Sequence, residues 1–345
     1  MKRLGLGDYA LTTCVAVALL AGCGGSQTGG PVPMDLIHFE TQVPKTQTSS
    51  GDLVYATGAC GGVCVFGYPS GKLKHKITLT YPVAGVCSDS NGNVFVTNYG
   101  QPQVLEYAHG GTTPIATLTV PGSGTAACGV DLKTSDLAVV FGGDGYDNIA
   151  IFKNETGTPT IYSTGYGAAF CGYDNIGNLF VSGRDNGLGI LSELPYGSST
   201  FIQISFYAKG GGGPNQVQWD GHYMTWETFG RKDTSILRFT VSGSTATAVG
   251  KTHLRGPQWI TQSWIAGERV IVPYASQGGK TNEIGVWRYP KGGTILAKFG
   301  NFGQNANTEV MGVALSVASS HKLPKRASEL KRPNRSQQCD SDADH

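Results

Sequence analysis

The chain has 345 residues, of which 51 are glycine, 39% are hydrophobic and only 14% are charged, with 26 Lys+Arg against 24 Asp+Glu. An average chain carries about 7% Gly and about 25% charged residues, so this one is too apolar and too close to neutral for an intrinsically disordered protein. The small basic excess sits in residues 319–345, which hold six Lys/Arg and four Asp/Glu and leave twenty of each elsewhere; the body lacks the concentrated basic face that a nucleic-acid binder needs, so no nucleic-acid partner is expected.

In chain order, Lys2 and Arg3 form a short basic start, and residues 10–22 form an apolar stretch of signal-peptide length, below the ~20 residues that span about 30 Å of hydrocarbon. The stretch ends in Leu20-Ala21-Gly22-Cys23, which resembles a lipobox. The resemblance implies a lipoprotein signal peptide over 1–22, a lipidated Cys23, and a membrane partner reached through the acyl chains. Gly24 after the cysteine, in place of Asp, implies a lipid-anchored address in the cell envelope, at the outer membrane. Residues 24–50 are rich in Gly, Pro, Ser, Thr and Gln and read as a flexible tether with a reach of roughly 30 Å.

From residue 51 the sequence repeats. The stretch VAGVCSDSNGNVFVTNYGQPQVLEYAHGGTTPIATLT (83–119) and the stretch AAFCGYDNIGNLFVSGRDNGLGILSELPYGSSTFIQI (168–204) each hold four short β-rich runs separated by Asn/Gly or Gly/Ser turns. In the first, strands are expected over 85–89, 94–98, 103–108 and 114–119, with the period-2 alternation of VFVTN and VLEYA. The aspartate before the inner turn recurs at Asp89, Asp131, Asp174 and Asp220, then near Ala266, at spacings of 42, 43, 46 and 46 residues, the length of a four-stranded propeller blade. The outer-hairpin glycine recurs at Gly71, Gly110, Gly157, Gly197, Gly243 and Gly292. Six outer hairpins therefore stand against five inner ones. The first hairpin (64–79) is preceded by one strand, 52–58, where two are needed, and 309–317 is left over at the far end. Placing 309–317 in blade one hides both sheet edges. The expected fold is all-β: a six-bladed β-propeller over 51–318, its ring closed by the C-terminal strand, followed by a disordered charged tail over 319–345.

The pattern GVCSDSNGNVFVTN resembles NHL-repeat six-bladed propellers. The body from about 52 to 317, with its FCGYDNxGNLFV and VQWDG stretches, is similar to a group of uncharacterised bacterial secreted propellers. The resemblance implies a fold rather than an activity, since propellers host lactonases, lyases, peptide binders and scaffolds. Lactonase-type propellers hold a divalent cation with Glu, Asn and Asp, and streptogramin-lyase-type ones use His with a metal; neither set maps onto this sequence residue by residue.

The residues themselves point away from catalysis. The recurring aspartates sit where Asp caps a turn, and Asp89–Asn93 lacks the length and closing Glu of a calcium loop. His75, His109, His222 and His253 fall at unrelated blade positions, and Gly210–Gly213 lacks the Lys and helix of a phosphate loop. No catalytic residue, metal or cofactor is expected. Cys60 and Cys64 flank a glycine-rich connection and are a disulfide candidate. Cys87, Cys128 and Cys171 lie at the same point of three inner strands, where disulfide pairing and simple apolar packing both remain open. Loops entering each inner strand share an end with loops joining second to third strands, and that end carries Asn98, Tyr99, Asp144, Arg184, Asp185, Glu227, Arg231, His253, Arg255 and Tyr274 (with Gln277 beside it). An aromatic and charged surface of this kind suits an unidentified protein, peptide or carbohydrate ligand. The expected function is an envelope-anchored binding or scaffolding propeller; the alternative is a metal-dependent enzyme of the lactonase or streptogramin-lyase type.

Overall fold

The structure, a computed structural model, describes residues 51–142, 145–206, 215–228, 234–257, 259–275, 282–302 and 309–318. The expected lipoprotein signal with Cys23, the expected tether, the charged tail with Cys339, the glycine run 210–213, and Asp144, Arg231 and Gln277 lie outside the described residues.

The chain folds as successive antiparallel meanders. The first holds β1 (Leu53–Thr57), β2 (Gly62–Gly67) and β3 (Lys72–Thr78). The second holds β4 (Val83–Ser88), β5 (Val94–Asn98), β6 (Gln103–Tyr107) and β7 (Ala116–Thr119). The third holds β8 (Gly124–Val130), β9 (Leu137–Gly142), β10 (Asn148–Phe152) and β11 (Thr160–Ser163). The fourth holds β12 (Gly167–Tyr173), β13 (Leu179–Asp185), β14 (Leu188–Leu194) and β15 (Ile202–Phe206). The fifth holds β16 (Val217–Trp219), β17 (Met224–Thr228), β18 (Thr234–Ser242) and β19 (Thr245–Leu254). In the sixth, the inner strand is split into β20 (Trp259–Ile260) and β21 (Trp264–Ala266), followed by β22 (Arg269–Ala275), β23 (Asn282–Arg288) and β24 (Ala297–Phe299). The last strand, β25 (Gly312–Ser316), pairs antiparallel with β1, Ala314 opposite Tyr55. The chain terminus thus supplies the inner strand that the first meander lacks.

The arrangement is propeller-like: small antiparallel sheets, almost no helix, and inner strands packed side by side. Strands β1, β2, β4, β5 and β9 are buried along their whole length, because both faces of each sheet are covered, and they accordingly read as continuous apolar runs. Alternate residues then serve opposite seams. Val54 and Ala56 pack toward Ile271 and Ile284 of the sixth meander, whereas Leu53 and Tyr55 pack toward Val94 and Tyr107 of the second. The remaining clusters of buried side chains likewise join second to third, third to fourth, fourth to fifth and fifth to sixth meanders.

One departure from the expected layout is clear. The fourth and fifth meanders are joined as one eight-stranded sheet, because their outermost strands β15 and β19 meet in a short parallel pairing, Ser205 with Thr245 and Phe206 with Ala246. Strands β18 and β19, at nine and ten residues, are the longest of the described strands and reach far enough for that contact.

The middle of the array is filled by side chains. A Cβ on Gly129 would meet the backbone of Cys171 and Gly172, and one on Gly172 the backbone of Val217, so glycine permits neighbouring inner strands to approach closely. Gln262, fully buried in the break between β20 and β21, crosses to β4: its Nε2 donates to the Val86 carbonyl (2.6 Å) and its Oε1 accepts from the Val86 N–H (3.0 Å). Trp264, two residues on, packs against three of the buried clusters. Cys87 and Cys128 are disulfide-bonded across the second and third inner strands, with Cα atoms 5.7 Å apart, while Cys171 is a buried free thiol pushed up to about 12 by desolvation.

Candidate functional site

The inner turns are built as their aspartates suggest. Asp89 Oδ1 accepts from the N–H groups of Asn91 and Asn93, and Oδ2 from both asparagine side chains. Asp174 repeats the pattern with Ile176 and Asn178, and Asp220 with His222 and Tyr223. These carboxylates are occupied by their own turns, and Asp220 Oδ2 also accepts from the Tyr289 hydroxyl of the sixth meander.

The residues expected at the ligand-facing end are spread over the second, fourth, fifth and sixth meanders. Tyr99 stands edge-on to Tyr146 at 6.1 Å between ring centroids, and Arg184 and Asp185 are exposed at the β13–β14 turn. His253 and Arg255 are exposed at the end of β19, where the Arg255 carbonyl accepts from Trp287 Nε1 (3.3 Å). Tyr274 donates to Glu283 Oε2 at 2.7 Å, and Lys298 reaches Glu283 Oε1 at 3.2 Å. Two expected surface residues are instead internal. Asn98 is buried, its N–H held by Thr125 Oγ1 at 2.8 Å. Glu227 is buried too, and it accepts a hydrogen bond from Ser263 Oγ of the sixth meander. The reason is positional. Thr97 and Ser182, three residues after the first residue of β5 and β13, donate to carbonyls of the next inner strand, Ala126 at 2.9 Å and Asn215 at 2.7 Å. Glu227 holds that place in β17 and also bonds to the next meander, but as acceptor from the Ser263 hydroxyl. Burial pushes its carboxyl up to about 8 against the opposing hydrogen bonds from Ser263.

Cys60 and Cys64 are disulfide-bonded, Cα to Cα 5.8 Å, with Cys64 inside β2 opposite Ala56 rather than at the edge of the turn.

A cleft of about 430 Å³ lies at the opposite end, between the fourth and fifth meanders. Strand register explains its walls. In the fourth meander Phe180 pairs with Glu193 and Glu193 with Ile202, a cross-strand row on one face. In the fifth, Trp219 pairs with Met224 and Met224 with Phe239. All six line the cleft, and the β15–β19 pairing closes its outer side. His222 and Tyr223 stand at one lip and Ile176 at another, while the β18–β19 turn contributes only Thr240, Val241 and Gly243.

Glu193 is the unusual member of this wall. It is buried, no described residue hydrogen-bonds its carboxylate, and its ionisation is held above the usual range by burial first and by nearby Asp174 second. The second meander has the equivalent row, Phe95–Glu106–Ala116 beside Asp89. There the third meander's Lys153–Glu155 turn covers the acids with Glu155, a carboxyl pushed up to about 8 by burial and by Asp89 and Glu106. The sequence carried a partial signal for the cleft: Phe and Glu recur on the second and third strands in NVFV…VLEY and NLFV…LSEL, with a Val-Ser-Gly-Ser outer turn in the fifth repeat.

No family model and no curated protein matches the chain. Solved structures do. The chain is similar to a propeller in a nidogen/laminin complex, with a TM-score of 0.58 at 13% identity over 77% of this chain and 99% of that one. It is similar to a protein of unknown function from Bacteroides caccae (TM-score 0.54, 10% identity, 77% and 99%) and to U3-55K (TM-score 0.50, 10% identity, 72% and 78%). At these identities the likeness concerns the fold.

Proposed function

We propose that the chain is an envelope-anchored, non-catalytic binding propeller whose ligand seat is the cleft between the fourth and fifth meanders. The carrying observation is the pair of cross-strand rows, Phe180–Glu193–Ile202 and Trp219–Met224–Phe239, that face an open space of about 430 Å³. A cleft of that size with mostly apolar walls and few polar groups is the usual form of a ligand site.

The finer reading of the fold belongs to this proposal. Six meanders, six seams and a β25 that pairs with β1 support a closed six-bladed ring, in which the eight-stranded sheet is two blades touching at their outer edges. The NHL resemblance, and anchoring through Cys23 at the outer membrane, complete it; the tether over 24–50 would then hold the ring within reach of envelope ligands.

The test is photo-crosslinking in intact cells. A photoreactive residue at Ile202, on the cleft wall, is expected to give a discrete adduct. The same residue at Leu188, exposed on the β13–β14 turn, is expected to give none. Adducts of equal yield from both positions, or from Leu188 alone, would overturn the assignment.

A further inference from the structure

Building on the binding reading, we propose that the occupant of the cleft is an extended polypeptide segment that inserts a Lys or Arg side chain between Glu193 and Trp219.

Charge is the first argument. Glu193 and Asp174 are the acids of the wall, His222 at the lip is its one basic residue, and no described group hydrogen-bonds the Glu193 carboxylate. A carboxylate that lines a cleft with no hydrogen-bond partner from its own chain loses hydration when a ligand fills the space, and a cation or hydrogen-bond donor on that ligand offsets the loss. At the corresponding place in the second meander the chain covers the acids with its own Lys153–Glu155 turn, and burial with Asp89 and Glu106 pushes the Glu155 carboxyl up to about 8. At Glu193 the fifth meander's turn offers Thr240, Val241 and Gly243, none of which reaches it with a hydrogen bond. An incoming cation is what this second copy of the arrangement lacks.

The aromatic wall is the second argument. Trp219 and Tyr223 line the same cleft, and an ammonium or guanidinium held over such rings gains cation–π attraction that grows as water is excluded. The aliphatic stem of Lys or Arg meanwhile covers Ile202 and Met224.

The third argument favours a polypeptide over a free amine. Ile202 belongs to β15, an outermost strand whose outer side is paired only at Ser205 and Phe206. Among the described residues no strand pairs with the outer side of residues 202–204, and there an extended peptide can add as a further strand beside Ile202 while alternate side chains enter the wall.

The experiment is isothermal titration of the full chain with three acetylated, amidated pentapeptides, Ser-Val-X-Val-Ser, in which X is Lys, Arg or norleucine. The Lys and Arg peptides are expected to bind at least about tenfold more tightly than the norleucine peptide. Glu193→Gln should remove that difference, Trp219→Ala should weaken all three, and Glu106→Gln, at the covered copy, should change nothing. Equal affinity for norleucine, or an unchanged Lys preference in Glu193→Gln, would overturn the cationic assignment while leaving the cleft as a ligand seat. Absence of binding by all three peptides would also overturn it, and the Ile202 crosslink then decides separately whether the cleft is a seat for a ligand of other chemistry, such as a carbohydrate.

Discussion

At the residue scale, Glu227 is the most informative side chain outside the cleft. Its carboxyl is raised to about 8 in the fold, against about 4.3 for an unperturbed Glu. A raised carboxyl means the native state holds a proton that the unfolded state has released, so its contribution to stability is complete below about pH 4 and falls as pH rises toward 8. Glu227→Gln, which mimics the protonated acid, should therefore melt with the wild type at pH 3.5 and above it at pH 8. Parallel melting curves for the two proteins across that range would contradict the assignment of Glu227 as a buried inter-sheet link. The sequence placed Glu227 on the ligand-facing end from its position near a strand terminus. What it did not reveal was that Thr97, Ser182 and Glu227 hold equivalent strand positions, because a donating hydroxyl and an accepting carboxyl both reach the next meander only once neighbouring meanders lie against each other.

At the element scale, β25 completes the first sheet by pairing with β1, as closure of the proposed ring requires. Val310, Val313, Ala314 and Leu315 are buried between the first and sixth meanders and the second. Burying a Val or Leu side chain stabilises by about 1.5–3 kcal/mol, so the segment accounts for several kcal/mol of a total of about 5–15 kcal/mol. Removing 309–345 also leaves the N–H and C=O groups of β1 without partners. That truncation should abolish cooperative unfolding, whereas removing only 319–345 should leave the melting temperature within a few degrees of the full chain. Similar melting of both truncations would refute closure by β25. This element was legible in the sequence, because six outer-hairpin glycines against five inner turns leave one strand missing at the front and one spare at the back. All six of those glycines have positive φ, between 57° and 80°, the left-handed conformation that makes glycine the natural residue there. The β15–β19 pairing was not legible: it depends on the length of β18 and β19 and on where two outer edges come to lie, and neither leaves a periodic mark.

At the scale of the whole molecule, the repeat makes each seam similar and so makes the exception meaningful. Clusters of buried side chains join neighbouring meanders, and the seam between the fourth and fifth also carries an open trough at the end where the inner turns and outer hairpins emerge. The sequence pointed to the other end, where irregular loops and charged residues concentrate. Loop variability marks surface that is free to change, but here the unfilled space came from the regular part of the repeat, through a matched Phe–Glu row with nothing to cover it. The five tryptophans of the chain give a direct probe of that difference, because Trp219 lines the cleft whereas Trp287 is fully buried in the sixth meander. The protein labelled with 5-fluorotryptophan, its Trp219 signal assigned by Trp219→Phe, should be titrated with the Lys pentapeptide and followed by fluorine NMR: the account predicts that the Trp219 resonance moves with saturation while the Trp287 resonance stays fixed, and a saturable shift of any tryptophan signal with Trp219 unmoved would contradict it.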